Sequence, residues 1–103
     1  MEKGGKTAMV VIVAKSIVKQ GKLEAFKALA QEMVEKSREE EGCITYQLYQ
    51  DIHNDHVMTF IEEWENMKAV EAHQKTEHFE RNVPKMKALR HPSSEMTLYK
   101  KLT

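Results

Sequence analysis

CITYQLYQDIHNDHVMTFIEEW (43–64) holds two runs of β-forming residues, 43–51 and 56–64, on either side of the short polar turn IHND. A two-residue period sends successive side chains to opposite faces, and two such runs joined by a few turn residues form an antiparallel hairpin. In the first run Ile44, Tyr46 and Leu48 fall on one face. In the second, Met58, Phe60, Glu62 and Trp64 share one face, and Val57, Thr59, Ile61 and Glu63 share the other. The hairpin therefore needs a core on its aromatic side, and the flanking sequence has to supply it.

Upstream, residues 9–18 read as a first strand with apolar residues on both faces, so both faces should be covered. Gly21 breaks the chain. Leu23, Phe26, Leu29, Ala30, Met33 and Val34 then recur at helical spacing, predicting an amphipathic helix of about five turns ended by Gly42 as a left-handed cap. Downstream, Asn66 is the expected N-cap of a short helix and Thr76 that of another carrying Phe79, Val83, Met86 and Leu89, which Pro84 should kink or restart. Residues 95–103 form a last strand with Met96, Leu98 and Leu102 on one side. The order strand, helix, strand, strand, helical segment, strand is that of an α+β, ferredoxin-like split βαβ fold: four antiparallel strands with helices on one face. The first and third strands are apolar on both sides, so the uncovered face calls for a partner, most economically a second copy of the chain.

The sequence has 103 residues, 41% apolar and 31% charged, with 16 Lys and Arg against 16 Asp and Glu. This fits one domain, read as 8–103, preceded by a polar disordered tail, MEKGGKT (1–7). Interleaved charges summing to zero give neither a nucleic-acid footprint nor a basic membrane-binding face. The run AMVVIVA (8–14) is a strand, too short to span a membrane. A single cysteine, Cys43, excludes an internal disulfide and points to a reducing, cytoplasmic setting.

Chemistry concentrates between Phe60 and Val83. Glu62 shares a face with aromatic residues; the plainer reading is a strand end that reaches water, the sharper one a pocket carboxylate with a raised pKa. His73 lies on the apolar side of its short helix, where a histidine is more often a satisfied core or rim residue than a catalyst. His73 and His78 are five residues apart, about 140° around a continuous helix, so they should point apart unless Thr76 breaks it. No third ligand presents itself at metal spacing, and no metal is expected. Cys43 reads as a structural thiol. No nucleophile elbow, glycine-rich phosphate loop, C-x-x-C or dinucleotide fingerprint occurs.

EEEGCITYQLYQD (39–51), E-x-W (Glu62, Trp64), A-x-x-x-H (Ala69 to His73) and T-x-H-F (Thr76, His78, Phe79), taken in this order, resemble the antibiotic biosynthesis monooxygenase (ABM) domain family and its quinol monooxygenase-like bacterial members. The resemblance covers about residues 8–102. It implies a dimeric ferredoxin-like α+β barrel, a homodimer, with a pocket between sheet and helices in which a quinol or polyaromatic phenol is oxidised by dioxygen without metal, flavin or haem. On the matching positions Phe60 and Trp64 would line the pocket with Phe79, His73 would be the base, Glu62 would orient a donor or the substrate, and His78 would support the helix turn or bind substrate. The family's haem-degrading branch has its asparagine, tryptophan and histidine at positions that here hold Ala14, His73 and Val83, which removes the haem ligand. Two other readings share the fold: an enzyme acting on a small phosphorylated carbonyl compound, with similar E-x-aromatic and H-x-x-T-x-H patterns, and a non-catalytic dimeric binding module.

Overall fold

In the computed structural model, which describes residues 8–103, the elements run β1 (Val10–Ile17), α1 (Leu23–Ser37), β2 (Cys43–Gln50), β3 (Val57–Trp64), α2 (Met67–His73), α3 (Glu77–Ala88) and β4 (Glu95–Lys100). The expected tail, 1–7, lies outside the described residues. The four strands form one sheet in the order β2-β3-β1-β4, and every neighbouring pair is antiparallel. That order places β1 and β3 at the centre, as the split βαβ reading requires.

One face of the sheet carries the core. Val10, Ile12 and Val18 from β1 and its end, and Met58, Phe60 and Trp64 from β3, pack against Phe26, Ala30 and Met33 of α1, Val70 of α2 and Met86 of α3. In α1 the buried positions Phe26, Ala30, Met33, Val34 and Ser37 recur every three to four residues, the stripe expected of a helix lying on a sheet. Glu32 on α1 ties α3 down: its carboxylate pairs with Arg81, and its Oε1 accepts from Asn82 Nδ2 at 3.0 Å. Among the described residues no helix is long and apolar enough to cross a membrane.

Three local expectations need correction. The first helix ends at Ser37 after 15 residues, with Arg38 as its C-cap, so it is shorter than predicted and Gly42 does not cap it. Glu39, Glu40 and Glu41 follow immediately, and three carboxylates at the negative end of a helix dipole oppose further winding. Gly42 is nevertheless left-handed, with φ +90°: it turns the chain into β2, where its carbonyl accepts from Glu65 N at 2.9 Å. Pro84 sits inside α3 without restarting it; the helix loses one hydrogen bond and is carried through by the core contacts of Val83 and Met86.

The third correction concerns the face of β2. The pairing shifts by one residue between Cys43 and Thr45, a β-bulge that leaves Ile44 without a cross-strand partner. Cys43 then stands opposite Trp64 and Tyr46 opposite Glu62, while Ile44 is 46% exposed rather than sharing the inner face of Tyr46 and Leu48. The other predicted strands keep their places with trimmed ends.

Candidate functional site

Glu62 stands on the inner face of β3 between Phe60 and Trp64. It is 5% exposed, so the plainer reading of a strand end open to water does not hold. The reason is local. Asn66 caps α2 directly after β3, its side chain accepting from Ala69 N at 2.9 Å, and the helix folds back over the end of the strand. Trp64 Nε1 donates to Glu62 Oε1 at 2.9 Å. Burial raises the Glu62 carboxyl to about 7, against the pull of the Trp64 N–H and the Tyr46 hydroxyl and with a further push from Glu40. Burial, with Glu62 beside it, also pushes the Tyr46 hydroxyl upward. Cys43 is raised to about 11, chiefly by burial and then by Glu40 and Glu62, which agrees with a structural thiol.

His73 is the last residue of α2 and is buried; Tyr46, Trp64 and Phe79 surround its ring, with centroids at 5.6, 4.5 and 5.0 Å. The helical rotation argument fails for His73 and His78 because the helix does break: α2 ends at His73, Thr76 caps α3 by accepting from Phe79 N, and α3 begins at Glu77. The two rings come within 6.1 Å of each other. Glu40, indistinguishable by pattern from its charged neighbours, closes the cluster: its Oε2 lies 2.8 Å from His73 Nδ1 and 2.6 Å from His78 Nε2. A carboxylate only accepts, so both facing ring nitrogens carry hydrogen. Neutral His73 is therefore the Nδ1–H tautomer, with its basic lone pair on Nε2. Burial lowers the His73 pKa, partly offset by Glu40.

Glu40 Oε2, His73 Nδ1 and His78 Nε2 lie within 4.8 Å of one another, a donor set that a zinc-type ion accepts. This supplies the third ligand that the sequence did not offer. The two contacts are also ordinary charge-assisted hydrogen-bond lengths, and two N–H donors on one carboxylate satisfy the cluster as it stands.

Beside His73, between the sheet and the helices, lies a cavity of about 510 Å³. Its walls are Ile12, Ala14 and Phe60 from the sheet and Val70, Phe79, Val83 and Met86 from the helices; Glu62, His73 and Tyr46 stand among them, and so do Lys87, Arg90 and Ser94. Of the residues expected at the pocket, Phe60, Phe79, Glu62 and His73 line it. Trp64 does not: it is fully buried behind Glu62 and His73, where it holds the carboxylate and supports the imidazole. His78 also stands back from the cavity, on Glu40. Tyr46, Glu40 and Arg90 are additions. The hairpin register would have paired Tyr46 with Glu62 had the bulge been visible, whereas nothing in a run of three glutamates distinguishes the one that turns inward.

The family model for antibiotic biosynthesis monooxygenase matches residues 9–85. A Synechocystis protein, "Uncharacterized protein sll1783", is 40% identical over 91 residues, 87% of this chain, and the match spans only 62% of that relative's length. The Bacillus subtilis protein named "Putative monooxygenase YcnE" is 36% identical over 79% of this chain and 85% of its own. A solved antibiotic biosynthesis monooxygenase superposes with a TM-score of 0.86 at 31% identity, covering 91% of this chain and 99% of the other.

Proposed function

The chain belongs to the antibiotic biosynthesis monooxygenase family, and from that premise we propose that it is a cofactor-independent monooxygenase that oxidises a quinol or polyaromatic phenol with dioxygen, working as a homodimer. The observation that carries the reading is the pairing of His73 with a largely apolar cavity: an imidazole whose Nδ1–H is held by Glu40 stands among Ile12, Phe60, Val70, Phe79 and Met86, with Glu62 and Tyr46 in the same lining. Such a slot takes a flat aromatic ring, and its lowered pKa keeps His73 free to accept a proton at neutral pH.

The chemistry follows from the substrate. His73 Nε2 removes the phenolic proton, and the electron-rich phenolate passes one electron to dioxygen. The resulting radical pair collapses to form a carbon–oxygen bond. The proton on that carbon passes to the outer peroxide oxygen as the O–O bond breaks, leaving a carbonyl and hydroxide, and the hydroxide takes the proton held by His73. A quinol and one dioxygen thus become a hydroxyquinone and one water, with all four electrons supplied by the substrate. The protein contributes proton acceptance, orientation and a water-poor cavity. Glu62, protonated through part of the neutral range because its pKa is about 7, is placed to donate a hydrogen bond to a substrate oxygen. The aliphatic and aromatic walls beside His73 favour an aromatic ring at that end of the cavity.

The test is the pH dependence of kcat/KM for a hydroquinone, in wild type and in His73→Gln. With His73 as the base, activity rises along a limb below about pH 6.5 and is level above it, and His73→Gln loses roughly 10²- to 10⁴-fold. A limb near pH 7 that survives His73→Gln and vanishes in Glu62→Gln would transfer the role to Glu62.

A further inference from the structure

The cavity is polar at two separated places. On the sheet, Glu62 is in register with Ile12, Phe60 with Ala14, and Met58 with Ser16. From the level of Glu62 to that of Ser16 is four residue steps, roughly 13 Å at about 3.3 Å each. Glu62 and His73 mark one end. At the other, Arg90 reaches Ser16, its Nη1 donating to Ser16 Oγ at 3.2 Å. Ser94, whose Oγ accepts from Ile17 N at 3.0 Å, stands next to it, and Lys87 is also in the lining. Midway the floor is Ala14, whose methyl leaves the space open.

Arg90 is half-buried, and desolvation alone shifts its pKa, downward, with no carboxylate holding it. Among the described residues it forms no ion pair. Lys87 and Glu95 are the other charged residues lining the cavity on this side, and Glu95 stands in register with Lys15. A half-buried guanidinium whose side-chain partner among the described residues is a serine hydroxyl keeps donors free for a further acceptor. Arginine also offers a planar fork that matches a carboxylate or phosphate in two hydrogen bonds.

We propose that Arg90 is a substrate-specificity residue that binds an anionic group, carboxylate or phosphate, at the end of an elongated hydroxyaromatic substrate remote from its reacting hydroxyl. The proposal rests on the aromatic-pocket reading above and narrows it. The hydroxyl lies at His73 and Glu62, the ring system crosses Ala14 against Phe60 and Phe79, and the acidic group meets Arg90, Ser94 and Lys87. A bicyclic or tricyclic ring system with substituents at opposite ends spans this distance, and one with neighbouring substituents does not.

Binding can be measured without turnover, under nitrogen, by calorimetry on the intact protein. The probes are 6-hydroxy-2-naphthoate, 3-hydroxy-2-naphthoate, 6-hydroxy-2-naphthyl phosphate and the uncharged 2-naphthol. The wild type should bind 6-hydroxy-2-naphthoate or the phosphate at least tenfold tighter than 2-naphthol and 3-hydroxy-2-naphthoate, and whichever of the two binds tighter identifies the anion. Arg90→Gln, which keeps a donor for Ser16, should erase that preference while leaving 2-naphthol unchanged, and Arg90→Lys should retain part of it. A preference that persists in Arg90→Gln, or a wild type that binds 2-naphthol as tightly as the opposite-end acids, overturns the anion site and leaves the aromatic pocket standing. Failure of the wild type to bind any of the four overturns both. If Arg90→Gln proves unfolded by circular dichroism, Arg90→Lys decides: an undiminished preference for a carboxylate geometry that only the fork can satisfy overturns the proposal, and a partial loss supports it.

Discussion

At Glu62 two energies oppose each other. The carboxylate has a hydrogen-bond donor in Trp64 Nε1, yet burial prevails and its pKa rises to about 7. A carboxyl whose pKa is higher in the folded than in the unfolded chain adds stability that is fully present below its unfolded pKa, near 4.3, and is lost as pH rises through 7. From about pH 4.5 to 8 this amounts to at most about 3 kcal/mol. Glu62→Gln keeps an acceptor for Trp64 and cannot ionise. Urea unfolding should therefore find this variant more stable than wild type at pH 8 and nearly equal at pH 4.5; equal stability at both values would mean that Glu62 reaches water after all. His73 acts in the opposite sense. Its lowered pKa removes stability as pH falls from its unfolded value of about 6.5, so the two residues squeeze the stability optimum from either side. Position on an aromatic face was legible for Glu62 from a two-residue period alone. Its burial was not, because what covers it is the return of α2, a tertiary event.

At the scale of elements, capping and turn residues decide where the site residues end up. Asn66 and Thr76 cap α2 and α3 and could be read directly, since an Asn or Thr ahead of a helical stripe has a local reason to be there. The bulge at Ile44 and the early end of α1 could not, because periodicity does not reveal one inserted residue or how far a helix winds before charge stops it. Gly42 links these features. Its φ is +90°, and a Cβ on it would lie 2.6 Å from Ala69 Cβ of α2. Gly42→Ala should cost roughly 1–3 kcal/mol from the left-handed backbone and more from the clash, and it should push α2, with His73, off the sheet. A fall in thermal midpoint accompanied by loss of activity at a temperature where the variant is still folded is the expected result. Wild-type stability in Gly42→Ala would show that α2 does not press on this turn.

For the whole molecule, among the described residues the helices cover one sheet face and leave the other bare. There Ile61 is 37% and Tyr99 53% exposed, and Val11, Val13 and Val57 are half-covered beside them. An apolar sheet face of this kind favours a homodimer. Light scattering at micromolar concentration should give about twice the chain's 12.0 kDa, and Ile61→Asp should shift the protein toward monomer, because an unpaired buried charge is expensive; a wild-type monomer would remove the dimer from the account. The strand and helix order was legible from local periodicity, and Phe60, Glu62, His73 and Phe79 were legible from their spacing and the family resemblance. The Glu40–His73–His78 cluster and the Arg90 end of the cavity were not, because they join residues 33 to 74 positions apart. If this cavity lets a phenolic substrate reduce dioxygen with the protein's own side chains, chelator-dialysed wild-type protein should consume oxygen with a naphthohydroquinone faster than the uncatalysed rate. One dioxygen should disappear for each hydroxyquinone formed, undiminished by dialysis; uptake that is lost on dialysis and returns with added zinc or iron would overturn metal-free oxidation.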